Sequence, residues 1–221
     1  MAIEFTLPDA ALAPIALSGV AVAALVVCDY RGFRPGRYLC KPLAALAFLW
    51  LALVMGATGS SYGTWILAGL VCCLAGDLLL MADNERSFLA GLVAFLCGHL
   101  CYCIAFLGLG ESLAGFAVTA LPALLLLVFS LRWLMPFVGP GMKVPVIAYT
   151  VVITLMLLCA GLTAGQPVAP LVIVGAWCFA LSALAVARRQ FVSASPLNGV
   201  WGTPLYFGAQ MLLAASVGFI H

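Results

Sequence analysis

Tyr62-Gly-Thr-Trp-Ile-Leu-Ala-Gly-Leu-Val-Cys-Cys-Leu-Ala-Gly-Asp77-Leu-Leu-Leu-Met-Ala82 carries no charge except Asp77. About twenty apolar residues wound as an α-helix span a hydrocarbon core of about 30 Å, so the stretch reads as a membrane span. An ionised carboxylate in hydrocarbon is costly, and a residue of this kind normally faces a polar cavity, is paired, or is held for chemistry. Asp77 is the only carboxylate inside a long apolar segment of the chain, which makes it the first candidate for function.

The rest of the chain has the same character. It is 66% hydrophobic and 7% charged, with a mean hydropathy of +1.25; a water-soluble domain of 221 residues does not have that composition. Apolar stretches fall at about 10–28, 42–58, 62–82, 88–109, 113–131, 145–163, 168–187 and 200–220. The expected fold is all-α: a polytopic membrane bundle of eight transmembrane helices in one transmembrane domain, 1–221. The segment before the first span carries Glu4 and Asp9 where a signal peptide has basic residues, so that span is expected to remain in the mature protein.

Charge placement sets an expected orientation. Arg31, Arg34, Arg37 and Lys41 fall in or beside the first connection, Arg86 in the third, Arg132 and Lys143 about the fifth, and Arg188 and Arg189 in the seventh. Cytoplasmic loops carry the Lys/Arg excess, which places the odd connections in the cytoplasm and both termini outside. The net charge of +2 is then a topological signal, and no nucleic-acid partner is expected.

The nine cysteines lie almost entirely within spans and form no pairing pattern; they read as small apolar packing residues. Cys97 and Cys101 share a helical face that His99 does not. With His99 and His221 as the only histidines, three-histidine zinc chemistry is ruled out, so neither a metal nor a cofactor is expected.

An internal repeat is legible. Lys41-Pro42 opens the second span, and Lys143 with Pro145 opens the sixth. Cys72-Cys-Leu-Ala-Gly-Asp77 ends the third, and Cys178-Phe-Ala-Leu-Ser-Ala183 ends the seventh. An even number of spans per half makes this a parallel 4+4 repeat, with halves of about 1–110 and 111–221, related by an axis along the membrane normal. Equivalent positions, Asp77 and Ala183 among them, would then face one another across a cavity.

Depth points to the same place. At about 1.5 Å per residue, Asp77, Ser182, Tyr149 and Tyr206 lie roughly 6 to 9 Å from the cytoplasmic ends of their helices, and Gln210 and His99 roughly 15 to 17 Å. Lys41 sits at the mouth. A polar pocket in the cytoplasmic leaflet gathers these positions; Tyr206 and Gln210 share a helical face, as do His99 and Tyr102. Each has a plainer reading. Lys41 can snorkel, His99 and Gln210 can join helices, Tyr149 and Tyr206 can belong to an aromatic belt, Ser182 can bond its own backbone, and Gly161 and Gly165 can serve packing or a turn.

Taken together, Lys41-Pro42, Gly76-Asp77-x-Leu-Leu-Met81, Gly91-x-x-x-Phe95-x-x-Gly98-His99-x-x-Tyr102, Tyr149, Gly175-Ala176-x-x-Phe179-x-x-Ser182 and Tyr206 with Gln210 resemble the lysoplasmalogenase (YhhN-like) family over about residues 38–215. The resemblance implies an eight-span membrane hydrolase that cleaves the vinyl ether bond of lysoplasmalogens. It further implies a lysophospholipid substrate held among membrane lipids; the Ala- and Leu-rich composition of the spans points to a bacterial inner membrane. By that likeness Asp77 is the acid/base residue; Lys41, His99, Tyr102, Tyr149, Ser182, Tyr206 and Gln210 line the substrate pocket. The family's seventh span reads Ser-Asp. Here it reads Ser182-Ala183, so one of two catalytic carboxylates is missing. Vinyl ether hydrolysis needs a proton donor and a group to orient water, and the chain is expected to be impaired. A proton-coupled lipid or small-solute carrier and a catalytically inactive lipid-binding relative are the alternatives.

Overall fold

The computed structural model describes residues 7–82 and 84–220; Glu4 and His221 lie outside the described residues. Eight long helices account for most of the chain: α1 (Leu12–Arg31), α2 (Arg34–Val54), α3 (Ser61–Leu79), α4 (Glu85–Leu107), α5 (Leu113–Leu134), α6 (Pro140–Leu162), α7 (Ala169–Ala187) and α8 (Leu197–Ser216). Side-chain oxygens satisfy free backbone N–H groups at three helix starts. Ser60 caps α3 through Gly63 N at 2.9 Å, Asn84 caps α4 through Ser87 N at 2.8 Å, and Ser112 caps α5 through Gly115 N at 3.2 Å.

Seven of the helices are long and apolar enough to cross a membrane, which makes the chain a polytopic helical bundle. The eighth expected span, α8, is long enough but falls below the others in hydropathy. The reason is local: Asn198, Thr203, Tyr206 and Gln210 fall within it, and Asn198 and Gln210 are buried in the bundle. Lipid-facing character is clearest on α5, where Leu113 and Val118 are each 77% exposed.

Consecutive helices pair as hairpins, α1 with α2, α3 with α4, α5 with α6 and α7 with α8. Contacts of α4 with α6, of α2 with α3 and α8, of α1 with α8 and of α6 with α7 join the hairpins. The α3–α4 seam is close because small residues line it. A β-carbon on Gly76 would lie 2.7 Å from the Phe95 ring, and one on Gly98 would lie 2.9 Å from Cys73 Sγ and 3.1 Å from the Gly69 carbonyl. Gly161 and Gly165 take the two plain roles available to them. Thr119 and the Gly115 backbone press on Gly161 from α5, and Gly165 turns the chain with φ +94°, a conformation that favours glycine.

Two expected boundaries move. Lys41-Pro42 and Lys143 with Pro145 do not open helices. Pro42 lies inside α2 and Pro145 inside α6, whose first turns instead carry Pro35 and Pro140, where the missing N–H has no intrahelical role. α2 therefore begins eight residues before the expected position, and Arg37 and Lys41 become neighbours on one helical face. At the other end of the seventh helix, α7 runs into a π-helical turn, Arg188–Val192.

Candidate functional site

The carboxylate of Asp77, in the last turn of α3, is enclosed by three helices and is 2% exposed. Lys41 Nζ of α2 lies 3.1 Å from Oδ1 and also donates to the Asp77 carbonyl at 3.1 Å. The Tyr206 hydroxyl of α8 donates to Oδ2 at 2.6 Å. Both carboxylate oxygens are thus held by charged or short hydrogen bonds, which is how a buried charge is tolerated. Lys41 does not snorkel to the interface.

The same face of α2 closes the end of α3. Besides Lys41, Arg37 donates to Leu80 O at 3.2 Å and the Tyr38 hydroxyl to Met81 O at 3.3 Å. Terminal helix carbonyls have no partner of their own and carry the negative end of the helix dipole, so cations belong here for structural reasons as well.

Tyr206 stands between two cavities. The first, of about 580 Å³, opens at the basic end of the bundle, where Lys41, Arg37, Arg189, Asp29, Asn198 and Glu85 give it a polar wall. The second is a narrow apolar slot of about 80 Å³ between α4, α5, α6 and α7; Tyr149, Ser182, Ala183 and Tyr206 line it among leucines and phenylalanines. Leu80, Phe88, Val186, Phe191 and Tyr206 belong to both walls.

The sequence-derived residues therefore divide into layers. Lys41, Asp77 and Tyr206 converge directly, and Tyr149, Ser182 and Ala183 border the slot. Ser182 Oγ donates to the Phe179 carbonyl of its own helix at 2.7 Å, as its plainer reading anticipates. Asp77, His99, Tyr102 and Gln210, expected to line one pocket, line neither cavity: Asp77 reaches the cavities only through Lys41 and Tyr206, so that it and Ala183 do not face one another across either, and the other three are fully buried. The Tyr102 hydroxyl donates to Gln210 Oε1 at 2.7 Å. His99 Nδ1 meets the Phe95 carbonyl; a carbonyl only accepts, so in the neutral ring Nδ1 carries the proton and Nε2 is a bare acceptor. His99 Nε2 and Gln210 Nε2 are buried without a hydrogen-bond partner.

Phe179 separates these layers. Its ring centroid lies 4.3 Å from that of His99, 5.4 Å from Tyr206 and 6.3 Å from Tyr102. The motif that carries the family resemblance includes Phe179 as a named position but assigns it no place in the site, since a phenylalanine in an apolar helix has no signal of what it packs against. Asp29, Arg37 and Arg189 were also missed as site residues. The signal available was the i,i+4 spacing of Arg37 and Lys41. Among the described residues no group of His, Cys, Asp and Glu is placed to hold a metal ion.

Searches of curated proteins and of solved structures returned no match. The model of one protein family, the YhhN family, matches residues 36–217, a range that includes Lys41, Asp77, Tyr206 and the whole lining of the apolar slot but leaves out all of α1, and with it Leu25 and Asp29 of the polar wall.

Proposed function

Because the chain belongs to the YhhN family, we propose that it is a membrane hydrolase of the lysoplasmalogenase type. It cleaves the sn-1 vinyl ether bond of lysoplasmalogens to a fatty aldehyde and glycerophosphoethanolamine or glycerophosphocholine. The observation that carries this reading is the Asp77–Tyr206 hydrogen bond of 2.6 Å, set where a polar cavity and an apolar slot share a wall. A single-chain lipid has the same two parts, and its ether bond lies between them.

The chemistry asks little more than a proton in the right place. The π pair of the vinyl ether takes a proton at the β-carbon from the Asp77–Tyr206 pair, of which Tyr206 is the end that borders both cavities. Positive charge then rests on the α-carbon and ether oxygen, beside the Asp77 carboxylate. Water attacks the α-carbon and returns its proton to the pair. The hemiacetal collapses as its C–O bond breaks; the glycerol oxygen takes the hydroxyl proton and the aldehyde leaves. Lys41 holds Asp77 in position throughout.

In this reading α8 is the eighth span, both termini lie outside, and the polar cavity opens to the cytoplasm, in a bacterial inner membrane. The two halves are parallel repeats, supported by the way the α2–α8 contact is matched by the α6–α4 contact. Ala183 stands at the second acid's position on the slot wall, and it slows the reaction. That same observation favours a second reading, an inactive relative that binds lysophospholipid. Aldehyde release from a lysoplasmalogen by the purified protein and by its Ala183→Asp variant tests the assignment. Release by neither protein rejects the hydrolase and leaves the lipid binder or the carrier.

A further inference from the structure

Lys41 is committed to Asp77 through two contacts of 3.1 Å, so it is not free to hold a substrate phosphate. The polar cavity has two other cations on its wall, Arg37 from α2 and Arg189 from the π-helical turn. Both point at one carboxylate: Arg37 Nε lies 3.7 Å from Asp29 Oδ1, and Arg189 Nη1 lies 3.9 Å from Asp29 Oδ2. Two guanidinium groups drawn to opposite oxygens of a single carboxylate converge on one stretch of the cavity wall.

These contacts are long. Charge-assisted N–H···O bonds run about 2.7–2.9 Å, so Asp29 holds the two arginines in place without saturating their donors, of which Arg37 spends one more, on Nη2, at the Leu80 carbonyl 3.2 Å away. Arg189 is nearly half exposed, at 47% for its side chain. Its neighbour Arg188 is by contrast occupied, donating to Asn198 Oδ1 at 2.8 Å. A guanidinium presents up to five donors in a planar fork that fits phosphate oxygens.

We infer that Arg37 and Arg189, spaced by Asp29, form the binding site for the phosphate of a single-chain phospholipid whose apolar chain enters the slot past Tyr206. The inference rests on the lysoplasmalogenase reading for the identity of the lipid, and deepens it by assigning the group that recognises the headgroup. The wall shared by the two cavities places the phosphate on the polar side of Tyr206 and the first few carbons of the chain on the other. A phosphate at the arginines thus sets which atoms of the lipid lie beside the Asp77–Tyr206 pair.

Binding separates this inference from the chemistry. A saturated 1-O-alkyl glycerophosphocholine has no vinyl ether and cannot be cleaved. Its affinity for the protein in nanodiscs is measured against a 1-O-alkyl glycerol of the same chain length, against glycerophosphocholine, and against inorganic phosphate. The phospholipid is expected to bind at least tenfold more tightly than each of the others. Arg189→Gln and Arg37→Gln should each weaken it on the order of tenfold, the usual loss for a hydrogen bond to a charged group, and leave the alkyl glycerol unchanged. Arg189→Gln decides the matter if Arg37→Gln fails to fold, since Arg189 is the more exposed.

Equal affinity for the alkyl glycerol, or an equal loss for both lipids in Arg189→Gln, overturns the inference. Inorganic phosphate binding as tightly as the lipid also overturns it, by making the site one for free phosphate. If the binding pattern holds while neither the chain as written nor Ala183→Asp releases aldehyde from a lysoplasmalogen, the hydrolase reading falls and the phosphate site stands. If aldehyde forms and Arg189→Gln changes neither binding nor KM, the phosphate site falls alone.

Discussion

Tyr206 of α8 donates its phenolic proton to Asp77 of α3 at 2.6 Å, joining residues 129 positions apart in the chain. A second bond joins the same helices farther along, where the Tyr62 hydroxyl and Ser216 Oγ meet at 2.6 Å. The C-terminal half of α8 is thus held along the length of α3 by polar contacts inside an apolar bundle, with Tyr206 and Ser216 facing inward to make them. This explains why the helix that completes the site is the one of the eight that falls short of the apolar character of a membrane span.

Tyr206→Phe removes the hydroxyl and little else. In whichever background turns over a lysoplasmalogen, the chain as written or Ala183→Asp, the substitution should lower kcat on the order of 10²- to 10⁴-fold, as loss of an acid/base group does. Stability should fall by only about 1–2 kcal/mol for one lost hydrogen bond. Steady-state kinetics and thermal melting of the same preparation measure both. Retained kcat would remove the hydroxyl from the proton path.

Lys41 and Asp77 should reveal themselves as a pair. Removing one partner of a buried ion pair leaves an uncompensated charge and costs about 3–5 kcal/mol. Lys41→Met is therefore expected to lower the melting temperature clearly, and Lys41→Met with Asp77→Asn to recover much of the loss. If the double variant melts no higher than Lys41→Met, the attraction between the two is not what stabilises the site.

The centre of the site was legible because its residues break the local rule. A carboxylate near the end of an apolar helix, a lysine near the start of another and a tyrosine at matching depth all depart from their surroundings, and the structure joins all three. Depth grouped His99 and Gln210 with the rest, but depth says nothing of rotation about the helix axis, and the Phe179 ring stands between Tyr206 and both His99 and Tyr102. Arg37, Asp29 and Arg189 read as loop charges because the terminal turn of a helix and the loop beside it have the same composition. That they meet depends on how α1, α2 and the end of α7 pack, which no local pattern encodes. Pro42 and Pro145 misled for a related reason. Proline usually marks a helix start, yet a proline within the first turns of a long helix sits where few intrahelical bonds are lost.

Orientation can be measured from the loops opposite the basic residues. Gly110 and Gly165 are unsuitable for substitution: a β-carbon at Gly110 would lie 2.6 Å from the Leu162 carbonyl, and Gly165 has φ +94°. Glu111 and Gln166 are exposed neighbours in the same loops. With exposed Cys97 replaced by alanine, cysteine at Glu111 or Gln166 should react with a membrane-impermeant maleimide from the periplasmic side. Cysteine at Arg86 should react only after the membrane is opened. The reverse pattern inverts the orientation and places the polar cavity outside.

The missing acid gives the sharpest test. Ala183 lines the slot together with Ser182 and Tyr206, so a carboxylate introduced there would open onto the same space that the Tyr206 hydroxyl borders. Such a group supplies what the chain as written lacks: a base to orient the attacking water, and negative charge near the oxocarbenium ion. Groups of this kind contribute on the order of 10²- to 10⁴-fold in rate. The unaltered protein should accordingly bind a lysophospholipid and cleave the vinyl ether slowly or not at all. Ala183→Asp should raise aldehyde release by orders of magnitude, and Asp77→Asn in that background should abolish it. The gain should appear in kcat more than in KM, because the phosphate and chain contacts are unchanged. Brisk turnover with Ala183 in place would show that Asp77 works with another partner, for which Asp29 on the polar wall is the first candidate. No gain from a folded, lipid-binding Ala183→Asp protein would count against the hydrolase itself.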